Sequence, residues 1–146
     1  MSTSTSTRPQ PVTHTQRLQA MYAAFGRGDI PGVLEQLSED VEWEYGIAPI
    51  DVPWLQPRRG RAGAAQFFQS LLAAEIHRFE VHAIVEGPGV AVALIDLDAT
   101  VKATGCRITE RNEAQVAHFD AEGKIARFRH CADTAQHLAA YRGTTG

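Results

Sequence analysis

Apolar side chains in the first half of the chain recur at the spacing of amphipathic helices. Four of them stand at positions i, i+3, i+4 and i+7: Leu18, Met21, Tyr22 and Phe25. This spacing predicts a helix with one buried stripe. Asp29 is expected to cap a short second helix that has Pro31 in its first turn. A third helix is predicted over residues 61–76, "RAGAAQFFQSLLAAEI".

Alternating apolar and polar residues predict strands in the rest of the chain. In the first of these strands Val41, Trp43 and Tyr45 should face the core, while Glu42 and Glu44 should face solvent. Four further strand segments follow the third helix: 79–87, 90–104, 106–119 and 124–132. Asp133 then begins a last helix. Helices followed by a meander of antiparallel strands are typical of an α+β domain, with the helices on one face of a curved sheet.

Length and charge indicate a single domain and argue against binding to nucleic acid or membranes. A chain of 146 residues forms one domain of ordinary size, here expected over residues 14–143, with a disordered tail at 1–13 and a short tail at 144–146. The formal charge of −3 offers no large field that would recruit nucleic acid or a membrane surface. The longest uncharged apolar run, "GVAVALI", is too short to cross a bilayer. A cytoplasmic protein is therefore expected.

The turn lengths predict which side chains share a face of the sheet. If residues 120–123 form a four-residue turn, Glu113 lies opposite His130 and Gln115 lies opposite Phe128. If the preceding turn is tight around Gly105, two aspartates join the same face. The predicted face then carries a polar row interrupted by two apolar residues: Asp96, Asp98, Arg111, Glu113, Gln115 and His130, with Phe128 and Ala132.

Two interpretations of this polar row remain open at the level of pattern. It is either a solvated face with weak ion pairs or the lining of a pocket that binds a small organic ligand. In a pocket, His130 is the principal candidate for proton transfer, because an imidazole titrates near neutral pH. Glu113 would orient that ring or act as the base, and Asp96 or Asp98 would be a second acid or base. Asp133 is assigned to helix capping.

Aromatic residues are expected to wall such a pocket. A proline-rich loop after the first strand carries Trp54 and is a candidate lid. The expected ligand-binding residues are Tyr22, Trp43, Tyr45, Trp54, Phe68, Arg111, Gln115 and Phe128. Neither a cluster of metal ligands at a recognisable spacing nor a nucleotide-binding glycine motif occurs, so no metal and no cofactor are implied.

Three segments in order carry a family resemblance: "YAAFGRGDIPGVLEQLSEDVEWE", "RGRAGAAQFF" and "FDAEGKIARFRHCADTAQHL". Together they resemble the SnoaL-like and ketosteroid isomerase-like branch of the nuclear transport factor two superfamily, over about Thr15 to Arg142. The resemblance implies a cone-shaped α+β barrel, in which three helices are wrapped by a bent sheet around an apolar cavity. It also implies a homodimer formed through the sheet. Phe128, His130 and Ala132 would point into the cavity.

The resemblance favours some activities of that superfamily over others. Positions that are catalytic in ketosteroid isomerases hold Tyr45, Met21 and Gln115, so that activity is not expected. SnoaL-type polyketide cyclases and limonene epoxide hydrolases place a catalytic acid seven residues after the turn glycine, where this chain has His130. The epoxide hydrolase pair of Arg and Asp has its nearest match in Asp96 and Asp98; the arginine is missing, although Arg111 could approach from the next strand.

The sequence is compatible with two functions. The first is a cofactor-independent enzyme of the isomerase, cyclase, dehydratase or epoxide hydrolase type, which binds a small apolar metabolite and uses general acid/base catalysis. The second is a domain of the same fold that binds a small ligand or dimerises without catalysis.

Overall fold

A computed structural model describes residues 12–144 of the chain. Of the expected tails at 1–13 and 144–146, residues 1–11 and 145–146 lie outside the described residues, whereas Thr13 belongs to the fold as the cap of the first helix. The helices are α1 His14–Gly26, α2 Ile30–Glu35, α3 Gly60–Ser70 and α4 Thr134–Arg142. The strands are β1 Leu37–Trp43, β2 Arg58–Arg59, β3 Ala74–Gly87, β4 Val90–Val101, β5 Arg107–Phe119 and β6 Ile125–Cys131.

The predicted α+β class is confirmed. The six strands form one sheet in the order β2-β1-β6-β5-β4-β3. The β1–β6 pair is parallel, and the other four pairs are antiparallel. Register irregularities interrupt the long strands β3, β4 and β5. Such bulges bend a strand and increase its twist, which lets the sheet curve around the helices. Within residues 12–144, no helix combines the length and the apolar character that crossing a membrane requires.

Local sequence explains where the helices begin and end. Thr13 and Gln16 form a capping box at the start of α1. The Asp29 side chain accepts a hydrogen bond from the backbone of Gly32 at the start of α2, as expected. Helix α3 is shorter than predicted, because it ends at Ser70 and a single 3-10 turn leads into β3 at Ala74. Backbone pairing of β3 with β4 thus begins before the end of the segment whose apolar residues have helical spacing.

The core lies between the helices and the concave face of the sheet. Trp43 of β1 and Phe128 of β6 stack with ring centroids 4.5 Å apart and are each about 1% exposed. Phe67 of α3 packs against Trp43 at 5.1 Å, and Leu18 of α1 is fully buried. Burying rings of this size provides much of the hydrophobic stabilisation of a small domain.

The predicted register between β5 and β6 was wrong by two residues. Gln115, and not Glu113, pairs with His130, while Ala117 pairs with Phe128. At the turn, the Asp120 N–H donates to the carbonyl of Lys124, which shifts the register by one residue, and an irregularity between His118 and Phe119 adds a second residue. A shift of two residues preserves the face of every side chain, so Glu113, Gln115 and His130 still share the concave side.

The predicted register between β4 and β5 was wrong by one residue beside Glu113, where Ile95, and not Asp96, is the partner. The connecting turn spans 102–105 and shifts the register near it by two residues, which keeps every face. An irregularity between Ile95 and Leu97 then changes this shift to one residue beside Glu113. A shift of one residue exchanges the two faces of a strand. Asp96 and Asp98 therefore lie on the convex outer face of the sheet, and the predicted polar row is divided between its two faces.

Candidate functional site

A cavity of about 90 Å³ opens between the helices and the concave face of the sheet. Its wall is mainly aromatic and aliphatic. Six of the predicted ligand-binding residues line it: Tyr22, Trp43, Trp54, Phe68, Gln115 and Phe128. His130 and Glu113 also line it, as do Ala132 and His137. An apolar cleft with a few polar groups is the usual form of a small-molecule site.

His130 is held in the cavity wall by a buried carboxylate. Its Nδ1 lies 2.6 Å from Oε1 of Glu44, and its backbone N–H donates to the same oxygen at 2.8 Å. Glu44 is completely buried, and its Oε2 has no hydrogen-bond partner among the described residues. Because an ionised carboxylate only accepts hydrogen bonds, Nδ1 carries a hydrogen. The Nε2 atom makes no hydrogen bond within residues 12–144 and remains able to accept or donate a proton.

The local backbone turns Glu44 toward His130. Strand β1 ends at Trp43, and Glu44 adopts the left-handed conformation, with φ of 59°. Its N–H donates to the carbonyl of Phe128 at 2.7 Å, which fixes this turn against β6. The sequence pattern assigned Glu44 to the solvent side, because strict alternation was extended past the end of the strand. Gly46, two residues later, was the one indication of a turn in this region.

Tyr45 is consequently not in the cavity wall, contrary to the prediction. Its hydroxyl lies 2.7 Å from Nε2 of His118, and the guanidinium of Arg127 lies 4.2 Å above its ring. Both contacts are with residues whose side chains leave β5 and β6 on the convex face. The left-handed residue before it reverses the direction in which Tyr45 would otherwise point.

Opposing influences set the pKa of His130. Burial has the largest effect and lowers the pKa, since it disfavours the charged ring. The charge and hydrogen bond of Glu44, together with the charge of Glu113, act in the opposite direction and leave the pKa raised above the usual value near 6.5. A histidine in this state can hold a proton at neutral pH and release it through a modest change in its surroundings.

A second polar chain runs beside His130. The Tyr22 hydroxyl donates to Oε1 of Gln115 at 2.7 Å, and the Gln115 amide nitrogen donates to Oε2 of Glu113 at 2.6 Å. Glu113 is only 4% exposed. Burial raises the pKa of Tyr22 well above its usual value, and the negative charge of Glu113 raises it further. The Tyr22 hydroxyl is therefore a hydrogen-bond donor that does not ionise near neutral pH.

A bulge in β5 brings another carboxylate to the same side. Ile95 pairs with Glu113 and Leu97 pairs with Glu110, so two residues of β5 lie opposite Asp96 alone. One of them, Asn112, has φ of 61°. The extra residue changes the alternation, which lets Glu110 and Glu113, three positions apart, both turn inward and become buried.

His137 joins Glu110 to the loop that carries Trp54. Its Nε2 lies 2.8 Å from Oε2 of Glu110, and its Nδ1 accepts a hydrogen bond from the indole N–H of Trp54 at 3.0 Å. The backbone N–H of Asp133, which caps α4 as predicted, also donates to Oε2 of Glu110. The sequence reasoning placed His137 on α4 without partners, because nothing in its spacing reveals contacts between α4, β5 and a distant loop.

Glu110, Glu113 and His137 bring their ligand-type atoms within 4.8 Å of one another, a set that the sequence spacing did not suggest. The directions of the hydrogen bonds made by His137 do not suit a metal ligand. Trp54 has only an N–H to offer, so Nδ1 of His137 must be the acceptor and Nε2 must carry the hydrogen. Metal-ligating histidines have the opposite polarity, since their second nitrogen donates to an acceptor.

The other three predicted residues lie on the convex face. Asp98 forms an ion pair with Arg111 at 3.2 Å. Asp96 lies 3.3 Å from Arg78 and accepts the backbone N–H of Asn112 at 3.1 Å. Asp96, Asp98 and Arg111 are thus corrected from candidate site residues to outer-face ion-pair residues, because the extra residue of β5 before Glu113 places all three on the face opposite to Glu113.

Comparisons with known proteins agree with this architecture. A family model described as SnoaL-like domain matches residues 18–128. An NTF2-like protein from Burkholderia xenovorans LB400 is 26% identical, with 88% of this chain and 95% of that chain covered and a TM-score of 0.76. A provisionally named polyketide cyclase from Pseudomonas putida KT2440 is 23% identical, with 88% and 97% covered and a TM-score of 0.68.

A third similar structure is that of TerC co-crystallised with polyporic acid. It is 20% identical, with 88% of this chain and 98% of that chain covered and a TM-score of 0.68. No curated protein matches the sequence of this chain. The family match spans most of the chain, and the solved structures share its curved sheet and helices. The chain belongs to the SnoaL-like domain family and has the NTF2-like fold.

Proposed function

We propose that this protein is a cofactor-independent enzyme that binds a small, mostly apolar metabolite in the cavity and moves a proton by general acid/base catalysis. The observation that carries the proposal is the state of His130. Its Nδ1 is occupied by the buried Glu44 carboxylate, while its Nε2, in the cavity wall, is unoccupied by any described residue. A base oriented by a carboxylate partner is a recurring arrangement in enzymes that transfer protons.

His130 and Glu113, which both line the cavity, would divide the chemistry. Neutral His130 takes a proton from a substrate C–H or O–H through Nε2, and the resulting imidazolium is stabilised by Glu44. Returning that proton to another atom of the substrate completes the cycle. Glu113, whose charge acts on the ring, would stabilise the imidazolium or accept a hydrogen bond from the substrate.

Among the reaction types compatible with this fold, isomerisation, ring closure and dehydration are favoured over epoxide opening. The residues that would have substituted for the epoxide hydrolase set, Asp96, Asp98 and Arg111, lie on the convex face. The remaining three reactions need a proton to be removed and returned beside an apolar body. The names of the similar structures, one a polyketide cyclase and one a complex with polyporic acid, support a small organic ligand.

The proposal is tested by thermal unfolding against small lipophilic metabolites, followed by turnover assays of any ligand found. A ligand at about a hundred times its Kd adds roughly 2.7 kcal/mol to the free energy of unfolding, which shifts the Tm by several degrees. Wild type and His130→Ala should both respond to the ligand, because the aromatic wall provides most of the contact. Turnover should be lost in His130→Ala.

A non-catalytic ligand-binding domain is the second candidate. The observation that favours it is that two positions catalytic in ketosteroid isomerases, Met21 and Gln115, line this cavity without the acid groups of that activity. A ligand that binds both proteins and is released unchanged by wild type, across substrates of all three reaction types, would support this candidate over the enzyme.

We further propose that the protein forms a homodimer through the convex face of the sheet. Val85, Val92 and Val116 form one row across β3, β4 and β5 on that face, and Val85 is 59% exposed. Leu94 continues this apolar surface. Light scattering should give the mass of a dimer for wild type and of a monomer for Val92→Glu, whereas a monomeric wild type contradicts the proposal.

A further inference from the structure

The cavity wall and the groups directly behind it hold more negative than positive groups. Glu113 lines the cavity, and the buried carboxylates of Glu44 and Glu110 lie behind it, in contact with the lining residues His130 and His137. The residues that line the cavity include no lysine and no arginine. His130 is the one group of the lining that gains a positive charge near neutral pH by pairing with a carboxylate. With His130 protonated and the carboxylates ionised, the formal charge of this group of residues is −2.

His137 does not balance this charge. Its Nδ1 accepts the indole N–H of Trp54, and its Nε2 donates to Glu110. A second proton on the ring would have to sit at Nδ1, where it would oppose the Trp54 N–H at a separation of 3.0 Å. His137 is therefore held as a neutral hydrogen-bond donor. Glu110 receives two hydrogen bonds, from His137 and Asp133, but no positive charge.

Glu113 is the least satisfied of the three carboxylates. Its Oε2 accepts one hydrogen bond, from Gln115 at 2.6 Å, and its Oε1 has no hydrogen-bond partner among residues 12–144. The residue is 4% exposed and lines the cavity. The Tyr22 hydroxyl cannot help, because it already donates to Gln115. A buried carboxylate with an unused oxygen is costly unless a donor, and preferably a cation, reaches it.

Aromatic rings share the cavity with Glu113. Tyr22, Trp43, Trp54 and Phe128 line the same cavity as Glu113. The faces of such rings attract a cation electrostatically, most strongly when water is excluded. A carboxylate and several aromatic rings in one small cavity form a suitable environment for an organic ammonium group.

We propose that the ligand of this cavity is a small organic cation, a protonated amine on an apolar or aromatic body, with its N–H groups directed at Glu113. This inference deepens the proposed function and rests on its claim that the cavity is the ligand site. A divalent metal is the competing cation, but it would need the Nε2 lone pair of His137, which the hydrogen bond from Trp54 at Nδ1 leaves occupied by a proton.

The test compares ligands of one shape and three charges. Isothermal titration calorimetry at neutral pH measures the Kd of benzylamine, benzyl alcohol and benzoate with the full-length protein. Isobutylamine and isobutanol repeat the comparison at a smaller size. Benzylamine should bind about tenfold or more tightly than benzyl alcohol, and benzoate should bind most weakly. In Glu113→Gln the affinity of the amine should fall to within a few-fold of that of the alcohol.

Asp98→Asn is the matched control, because it removes one carboxylate from the convex face and should leave the amine preference intact. Equal binding of amine and alcohol at both sizes overturns the inference and leaves the proposed cavity site standing. Failure of all five compounds to bind overturns the ligand site itself. Tight binding of Mn²⁺ that excludes benzylamine, and is lost in Glu113→Gln, assigns the site to a metal and also overturns the inference.

Discussion

A single oxygen of Glu44, Oε1, accepts both the Nδ1 hydrogen and the backbone N–H of His130, at 2.6 and 2.8 Å. The two residues are 86 positions apart in the chain and meet where β1 ends beside β6. This arrangement fixes the tautomer of the ring and its direction, and it leaves Nε2 for the cavity. The candidate chemistry of the protein depends on this contact.

Glu44→Gln should lower the pKa of His130. The substitution keeps the size of the side chain and an oxygen acceptor, but it removes the charge that raises the pKa against the opposing effect of burial. An NMR titration of the His130 ring resonances in wild type and Glu44→Gln measures the change. An unchanged midpoint would show that Glu44 does not determine the protonation of the ring.

The stability of the protein should fall as pH rises through the folded-state pKa of His130. The pKa of His130 is raised on folding, so the native state binds more protons than the unfolded state above about 6.5, the unfolded value. The stabilising contribution is therefore complete below that value and is lost above it. Urea unfolding at a series of pH values should show this decline in wild type and a smaller one in Glu44→Gln. The same decline in both proteins would contradict this prediction.

Trp54→Phe should destabilise the protein by about 1 kcal/mol more than Trp43→Phe. Both substitutions replace a buried indole with a smaller phenyl ring. Of the two tryptophans, only Trp54 donates a hydrogen bond, to Nδ1 of His137. The indole nitrogen of Trp43 has no partner among the described residues. Urea unfolding of the two variants separates the hydrogen bond from the loss of ring area. Equal losses would mean that the hydrogen bond to His137 does not hold the loop that carries Trp54.

Asn112→Val should cost about 1–2 kcal/mol of stability, while Asn112→Gly should be close to neutral. Asn112 is exposed and has φ of 61°, a conformation that β-branched residues adopt only under strain. The bulge at this position turns both Glu110 and Glu113 inward. Comparable stabilities of the two variants, measured by thermal unfolding, would show that β5 accommodates its register without this backbone conformation.

The fold was largely predictable because its patterns are local. The spacing of Leu18, Met21 and Phe25 identified α1, and Asp29 and Asp133 correctly marked the starts of α2 and α4. Alternation identified the long strands. The parity of β4 against β5 was not predictable, because it depends on the extra residue of β5 between Glu110 and Glu113, which decides whether Asp96 or Ile95 lies beside Glu113.

The candidate site was predictable only in part, because several of its contacts do not follow from local patterns. His130, Glu113 and Gln115 were placed together because an error of two residues leaves side chains on the same face. Glu44 and His137 were missed, since each reaches its partner through a backbone turn or a helix contact that has no periodic signature. The polar partners of His130 and Trp54 are thus set by tertiary packing.

The most direct test of the account is the turnover of an identified substrate by wild type and His130→Gln, with the Kd of each protein measured in parallel. We expect kcat to fall by about 10²- to 10⁴-fold in His130→Gln, the usual contribution of a general acid or base, with Kd changed by only a few-fold. Turnover that persists at the wild-type rate would contradict the assignment of His130 as the proton-transferring group.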